Sequence, residues 1–211
     1  MIQFIEKGGF MMYPIIFSSI LAFAIFVERM IVFSTIKLLK KESLREIFNK
    51  LEFEGISQCK EVVENKKGPM KNFIMSLLNE KKEEVCEKAA SGSGDEILFN
   101  LNKRMDFLAM LGSVTPLMGL LGTVIGMIKV FARVAEAGDL SDISILAGGI
   151  WEALITTAFG LAVAIPTLFA HNYLERKIDQ IAHRMQQKAL KIISIMRRTG
   201  VFDGKVSAKS K

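Results

Sequence analysis

The sequence predicts an all-α membrane protein with three transmembrane helices and long helical extensions in the cytoplasm. Three observations carry that reading. Half of the 211 residues are hydrophobic, and the mean hydropathy is +0.32. Charge is nonetheless plentiful at 24%, so it is segregated from the apolar stretches. Three apolar runs each reach about twenty residues or more, which at 1.5 Å per residue matches a hydrocarbon core of roughly 30 Å. No strand alternation and no internal repeat stands out.

The first run, Gly8 to Val27, contains no charge and is closed by Glu28-Arg29. A cleaved signal peptide competes for this segment. Its apolar region is normally shorter, about 7–15 residues, and follows a positive start, whereas here one lysine sits beside Glu6. A retained helix over 8–34 is therefore expected. The second run is Phe107 to Ile128, between Lys103-Arg104-Met105-Asp106 and Lys129, and predicts a helix over 105–132. The third, Leu146 to Ala170, lies between Asp142 and Glu175-Arg176-Lys177 and predicts a helix over 146–173.

Orientation follows from the basic residues. The stretch 35–104 is rich in them: Thr35 to Met105 carries 14 Lys/Arg, and the tail from His171 carries 10. The hairpin over 133–145 carries Arg133 against Glu136, Asp139 and Asp142, and the N-terminus carries one lysine. The two basic-rich stretches belong in the cytoplasm, with the N-terminus and the hairpin outside. The expected topology is N-out and C-in.

Both cytoplasmic stretches read as helical. Between the first two spans, Lys37 to Asn65 and Met70 to Ala90 place apolar residues such as Leu44, Ile47, Phe48 and Leu51 at helical spacing. Gly68-Pro69 and Ser91-Gly92-Ser93-Gly94 are expected to interrupt them. Asp95-Glu96 then opens a segment expected to run straight into the second span. After the third span, Ile178, Ile181, Met185, Ile192 and Met196 predict a long helix, with a disordered tail from Gly200 within 174–211.

Several function classes lose support. The excess of 28 Lys+Arg over 22 Asp+Glu lies beside apolar runs, not in a basic stripe with aromatic interleaving, so no nucleic-acid partner is expected. The two cysteines, Cys59 and Cys86, form no CxxC, and His171 and His183 lie far from both, so no metal or cofactor is expected. No phosphate loop, HExxH or Ser/His/Asp arrangement supports enzyme chemistry.

Lipid gives spanning helices no hydrophobic reason to associate, so small residues that allow close packing mark where they meet. On the second span, Gly112, Thr115, Gly119, Gly122, Thr123 and Gly126 fall within roughly a third of a turn. Gly122 and Gly126 form a GxxxG pair. The first span is bulky all round and is expected to face lipid. The third span carries one ionisable residue, Glu152, roughly 9 Å of helix in from Leu146. A carboxyl near mid-helix costs about 2.5–3.5 kcal/mol to insert, so its presence asks for a reason. Gly148 and Gly149 precede it by a turn, and Thr156, Gly160, Val163, Thr167 and Ala170 continue its face. Such a stripe can line a thin wet path along which a carboxyl takes a proton from one side and releases it to the other. Alternatively, Glu152 reaches the outer interface or bonds a neighbouring helix. Trp151 fits an interfacial aromatic, and Lys129 and Arg133 read as outer-interface anchors.

The segments Gly112-Ser113-Val114-Thr115-Pro116-Leu117-Met118-Gly119-Leu120-Leu121-Gly122-Thr123-Val124-Ile125-Gly126 and Gly149-Ile150-Trp151-Glu152-Ala153-Leu154-Ile155-Thr156-Thr157-Ala158-Phe159-Gly160-Leu161-Ala162-Val163-Ala164-Ile165-Pro166 closely resemble the ExbB/TolQ branch of the MotA/TolQ/ExbB proton-channel family. The resemblance is specific over Met105 to Tyr173. It implies a homopentamer around a central pore in the bacterial inner membrane, lined by the second and third helices. It also implies an ExbD- or TolR-like single-span dimer in that pore, each chain bringing an aspartate, and a TonB- or TolA-like protein beyond it. By motif, Glu152 matches the pore glutamate, Thr123 and Thr157 match the pore threonines, and Thr115-Pro116 matches the family pattern. The helical wheel places Thr156, not Thr157, on the face of Glu152, with Thr157 about 140° round, so both stay candidates.

The activity so implied is transduction of the proton motive force to outer-membrane transport or envelope maintenance. Within the family, a flagellar stator subunit is the alternative, although those have four spans. From other classes come a membrane scaffold in which Glu152 only packs, and a small-solute transporter. The transporter is disfavoured because no inverted repeat or broken helix pair is present.

Overall fold

A chain that crosses lipid must bond its own backbone, so apolar runs without internal breakers become helices. The computed structural model describes residues 9–35, 41–66, 68–137 and 143–202, and no strand occurs among them. The tip of the expected hairpin, 138–142, and the tail from 203 lie outside the described residues. Among the described residues, three helices are long and apolar enough to cross a membrane.

Among the described residues, seven α-helices follow in order: α1 (Met12–Thr35), α2 (Lys41–Asn49), α3 (Ile56–Glu64), α4 (Pro69–Asn79), α5 (Glu83–Asn102), α6 (Met105–Ala137) and α7 (Ile143–Arg198). The chain divides into two units. One comprises Met1–Met30 with Arg104–Glu175, and the other comprises Ile31–Lys103 with Arg176–Lys211.

The first unit holds the apolar spans. Pro14 sits in the first turn of α1, where its missing N–H costs nothing. α1 is not bare. Met12, Ile15, Ser18, Ala22, Ile25 and Arg29 are buried, while Tyr13, Phe17, Ile20, Phe23 and Ile31 are exposed. Those two sets alternate at helical spacing, so one face of the helix packs against the rest of the unit. At its charged end Arg29 pairs with Glu28 at 2.9 Å, and Glu28 also pairs with Arg104 at the head of α6. Pro116 lies inside α6 and Pro166 inside α7.

The second unit is a small helical domain with its own core. Ile47, Leu51, Val63, Phe73, Ile74 and Leu77 are fully or almost fully buried there, as are Ile192 and Met196. Cys59 and Cys86 are buried free thiols whose Sγ atoms face the Ile47 and Leu77 carbonyls at 3.6 and 3.4 Å. Within the unit, Arg198 pairs with Glu52 at 2.6 Å, Arg197 pairs with Glu83, and the Lys191 ammonium lies 4.4 Å from the Phe48 ring centre.

The internal boundaries of this unit differ from expectation in four places. The stretch Met70 to Ala90 is broken between Asn79 and Glu83, with Glu80 and Lys82 extended. The helical stretch to Asn65 is broken at Gly55, which has φ +97° and follows a wide turn, Lys50–Glu54, closed by the Gly55 amide on the Lys50 carbonyl at 2.9 Å. Ser91 to Gly94, read as an interruption, runs through as α5. Ser93 bonds back to the Ala89 carbonyl and meets Ser76 of α4 at 2.9 Å, so packing against α4 overrides weak propensity. α5 does not continue straight into the second span. It stops at Lys103, in extended conformation, and Arg104 turns left-handed with φ +68° before α6 begins.

Candidate functional site

The small residues of α6 and α7 meet backbone to backbone. A Cβ on Gly160 would stand 3.0 Å from both the Gly119 Cα and the Thr115 carbonyl oxygen. A Cβ on Gly119 would stand 3.1 Å from the Thr156 carbonyl oxygen and the Thr157 Cα. Nothing at that crossing except main chain is available to yield, so glycine is required on both sides. Above and below it, Gly112 faces Leu168, Gly122 faces Thr156 and Met11, Gly126 faces Ala153, and Gly149 faces Val130. Gly148 has open space around its Cα.

Every candidate threonine hydroxyl donates to a carbonyl, as membrane depth demands. Thr115, fully buried, bonds Leu111 O; Thr123 bonds Leu120 O at 2.6 Å; Thr156, also buried, bonds Glu152 O at 2.9 Å. Thr157 differs, because its Oγ1 crosses to α6 and donates to Gly119 O at 3.0 Å. The 140° separation read from the helical wheel thus has a structural meaning: Thr157 serves the helix crossing, and Thr156 stays with Glu152.

Glu152 is half-buried and lines a cavity of about 210 Å³. The other walls are Thr156 from α7, Gly122, Ile125, Gly126 and Lys129 from α6, and Gly9, Phe10 and Met11 from the turn before α1. Three polar residues, Glu152, Thr156 and Lys129, line the cavity among otherwise apolar walls. Its volume exceeds a single water's share several-fold. A carboxyl in such a place can hold, accept and release a proton. Of the sequence candidates, Glu152, Thr156, Gly122 and Gly126 share this cavity. Thr115, Pro116, Gly119, Thr123, Gly149, Thr157 and Gly160 are not among its walls.

Two participants were not legible from sequence. Lys129 read as an interface anchor, yet it lines the same cavity as Glu152. The Gly9–Met11 turn carries no chemical motif, and only its Gly8-Gly9 pair signals an unusual backbone. Among the described residues, no cluster of three His, Cys, Asp or Glu side chains could hold a metal ion.

Comparison with known proteins gives consistent results. The model of the MotA/TolQ/ExbB proton channel family matches residues 65–187. The biopolymer transport protein ExbB of Salmonella typhimurium is 26% identical over 213 residues, spanning 94% of this chain and 85% of that protein. An ExbB-like biopolymer transport protein of Synechocystis is 29% identical over 173 residues, covering 80% of this chain and 68% of its own. The ExbB of Neisseria gonorrhoeae is 36% identical over 102 residues, or 45% and 46% of the two chains. Among solved structures, that of C. jejuni MotAB shares the fold, with a TM-score of 0.59 at 19% identity over 89% of this chain and 74% of that one.

Proposed function

The chain belongs to the MotA/TolQ/ExbB proton channel family, and from that premise we propose that it is the channel subunit of an ExbB- or TolQ-like motor in which Glu152 carries the proton. The observation that carries this reading is the placement of the Glu152 carboxyl in a cavity with Thr156 and Lys129 at the glycine-lined face of α6. A scaffold role gives no reason to keep a carboxyl within an apolar span.

The proposed assembly is a homopentamer in the bacterial inner membrane, N-out and C-in. Only 28–33% of the apolar windows of the three spans is buried within one chain, which leaves most of their surface for lipid and for other subunits. Exposed Leu117, Leu120, Val124 and Leu161 belong to that surface. An ExbD- or TolR-like single-span dimer would occupy the pore. A proton would pass between its aspartate and the Glu152 ring, with Thr123, Thr156 and Thr157 supplying hydroxyls and Thr115-Pro116 shaping α6. Alternating protonation would drive the partner, whose motion would energise a TonB- or TolA-like protein.

Glu152→Gln tests the reading. The variant should assemble as the parent does and lose proton flux into vesicles that contain the chain with its single-span partner. Retained flux would sink the channel role and favour a scaffold. The fold shared with C. jejuni MotAB supports a flagellar-type stator as the second reading, and the identity of the partner encoded beside this chain distinguishes the two.

A further inference from the structure

The cavity around Glu152 has two walls from the spans and a third from a short turn that belongs to neither. Gly9 takes φ +67°, and the Met12 amide donates to its carbonyl at 3.2 Å, so a single tight turn leads into α1. At Gly9 a Cβ would collide with the Glu152 carboxyl oxygen Oε1, with Cδ next at 3.5 Å. Two residues on, Met11 seats its Cβ on Gly122, where a Cβ added to the glycine would meet it at 3.3 Å. The turn therefore lies directly on the carboxyl and on the glycine face of α6 at once. Glycine at position 9 meets two demands, a left-handed backbone and no side chain against Glu152.

We propose that the Gly9–Met11 turn is a positioning element of the proton site: it covers the Glu152 carboxyl and controls access to it. This rests on the reading of Glu152 as the proton carrier. A carboxyl in contact with the backbone of Gly9 cannot be reached from that side until the turn moves. Moving it breaks few bonds, because it precedes the helix: the Met12 amide leaves Gly9, and the Ile15 amide, already 3.4 Å from the Met11 carbonyl, loosens. The site thus has a fixed wall of glycines and threonine and a separable wall made by the turn.

The test is the rate at which a hydrophobic carbodiimide labels Glu152 in the full chain in membranes, with Glu152→Gln identifying the labelled position. Gly9→Ala pushes a methyl group into the carboxyl and displaces the turn, so labelling should accelerate at least five-fold. In a Glu152→Asp background the shorter carboxyl clears that methyl and only the left-handed strain at position 9 remains, so the same Gly9→Ala should accelerate labelling less than half as much as in the parent. Conversely, a chain with Cys59→Ala, Cys86→Ala, Phe10→Cys and Ile125→Cys, bridged by a short bis-maleimide, should label at least ten-fold more slowly than before bridging. An unchanged rate in both Gly9→Ala and the bridged chain overturns the proposal. An equal acceleration in both carboxyl backgrounds also overturns it, because the effect would then be general loosening. Labelling reads the cover alone, whereas proton flux in Glu152→Gln reads the channel role, so either can fail without the other.

Discussion

Gly119 of α6 and Gly160 of α7 cross so closely that a methyl group on Gly160 would stand 3.0 Å from the Gly119 Cα. At that contact the neighbours are backbone atoms, which cannot rotate away as a side chain can. Gly160→Ala should therefore lower stability by about 1–3 kcal/mol, the range for forcing a methyl into a packed contact. Gly148→Ala, where nothing lies within 4 Å, should change it little. Unfolding in detergent, followed by circular dichroism, compares the two. Equal effects would mean that the crossing is not the tight point.

Thr157 should behave as a tie between helices. Thr157→Ser keeps a hydroxyl able to reach Gly119 O, whereas Thr157→Val fills nearly the same volume without a donor. The Gly119 carbonyl still faces the amide four residues on, so the valine variant should lose only about 0.5–1.5 kcal/mol. A serine variant as unstable as the valine variant would count against this role.

Arg104 combines a left-handed backbone with an ion pair to Glu28. Arg104→Gly and Arg104→Ala both remove the charge, but only glycine adopts this conformation freely. The alanine variant should be less stable than the glycine variant by about 1 kcal/mol, measured by denaturant unfolding. Equal stability would show that the turn relaxes instead of holding Arg104 left-handed.

Burial pushes the Cys59 and Cys86 thiols up to about 11 from an ordinary value of 9.0. A group that titrates higher in the folded state holds its proton there more tightly. Its stabilising contribution is fully present below about pH 9 and is lost as pH rises from 9 toward 11. The parent chain should therefore lose stability over that window, and a chain carrying Cys59→Ala and Cys86→Ala should lose less of it. Maleimide should modify neither thiol near neutral pH unless the second unit is unfolded. Rapid modification of the folded chain would show that the thiols are reachable.

The sequence made the spans legible because lipid imposes one strong rule, about twenty apolar residues per crossing, and the three runs obey it. Glu152 stood out for the same reason, as a charge where charge is costly. What stayed hidden depended on tertiary neighbours. Ser91 to Gly94 has the composition of a linker, yet Ser76 and Ser93 meet across α4 and α5 and the segment stays helical. Asp95 onward has no breaker before the second span, yet the helix stops at Lys103 and Arg104 takes a left-handed φ of +68°. The wheel separated Thr156 from Thr157 but gave no hint that Thr157 reaches Gly119. Lys129 joins Glu152 only because the two helices cross where they do.

Pro116 and Pro166 sit inside the two helices that cross at Gly119 and Gly160. Neither proline has an amide to give, so the carbonyls of Gly112 and Ala162, four residues earlier in each helix, receive nothing from their own ladder. Each helix therefore carries one joint at which bending breaks no backbone bond. The same two carbonyls are acceptors that water or a donor from another chain can fill, at a depth where lipid offers none.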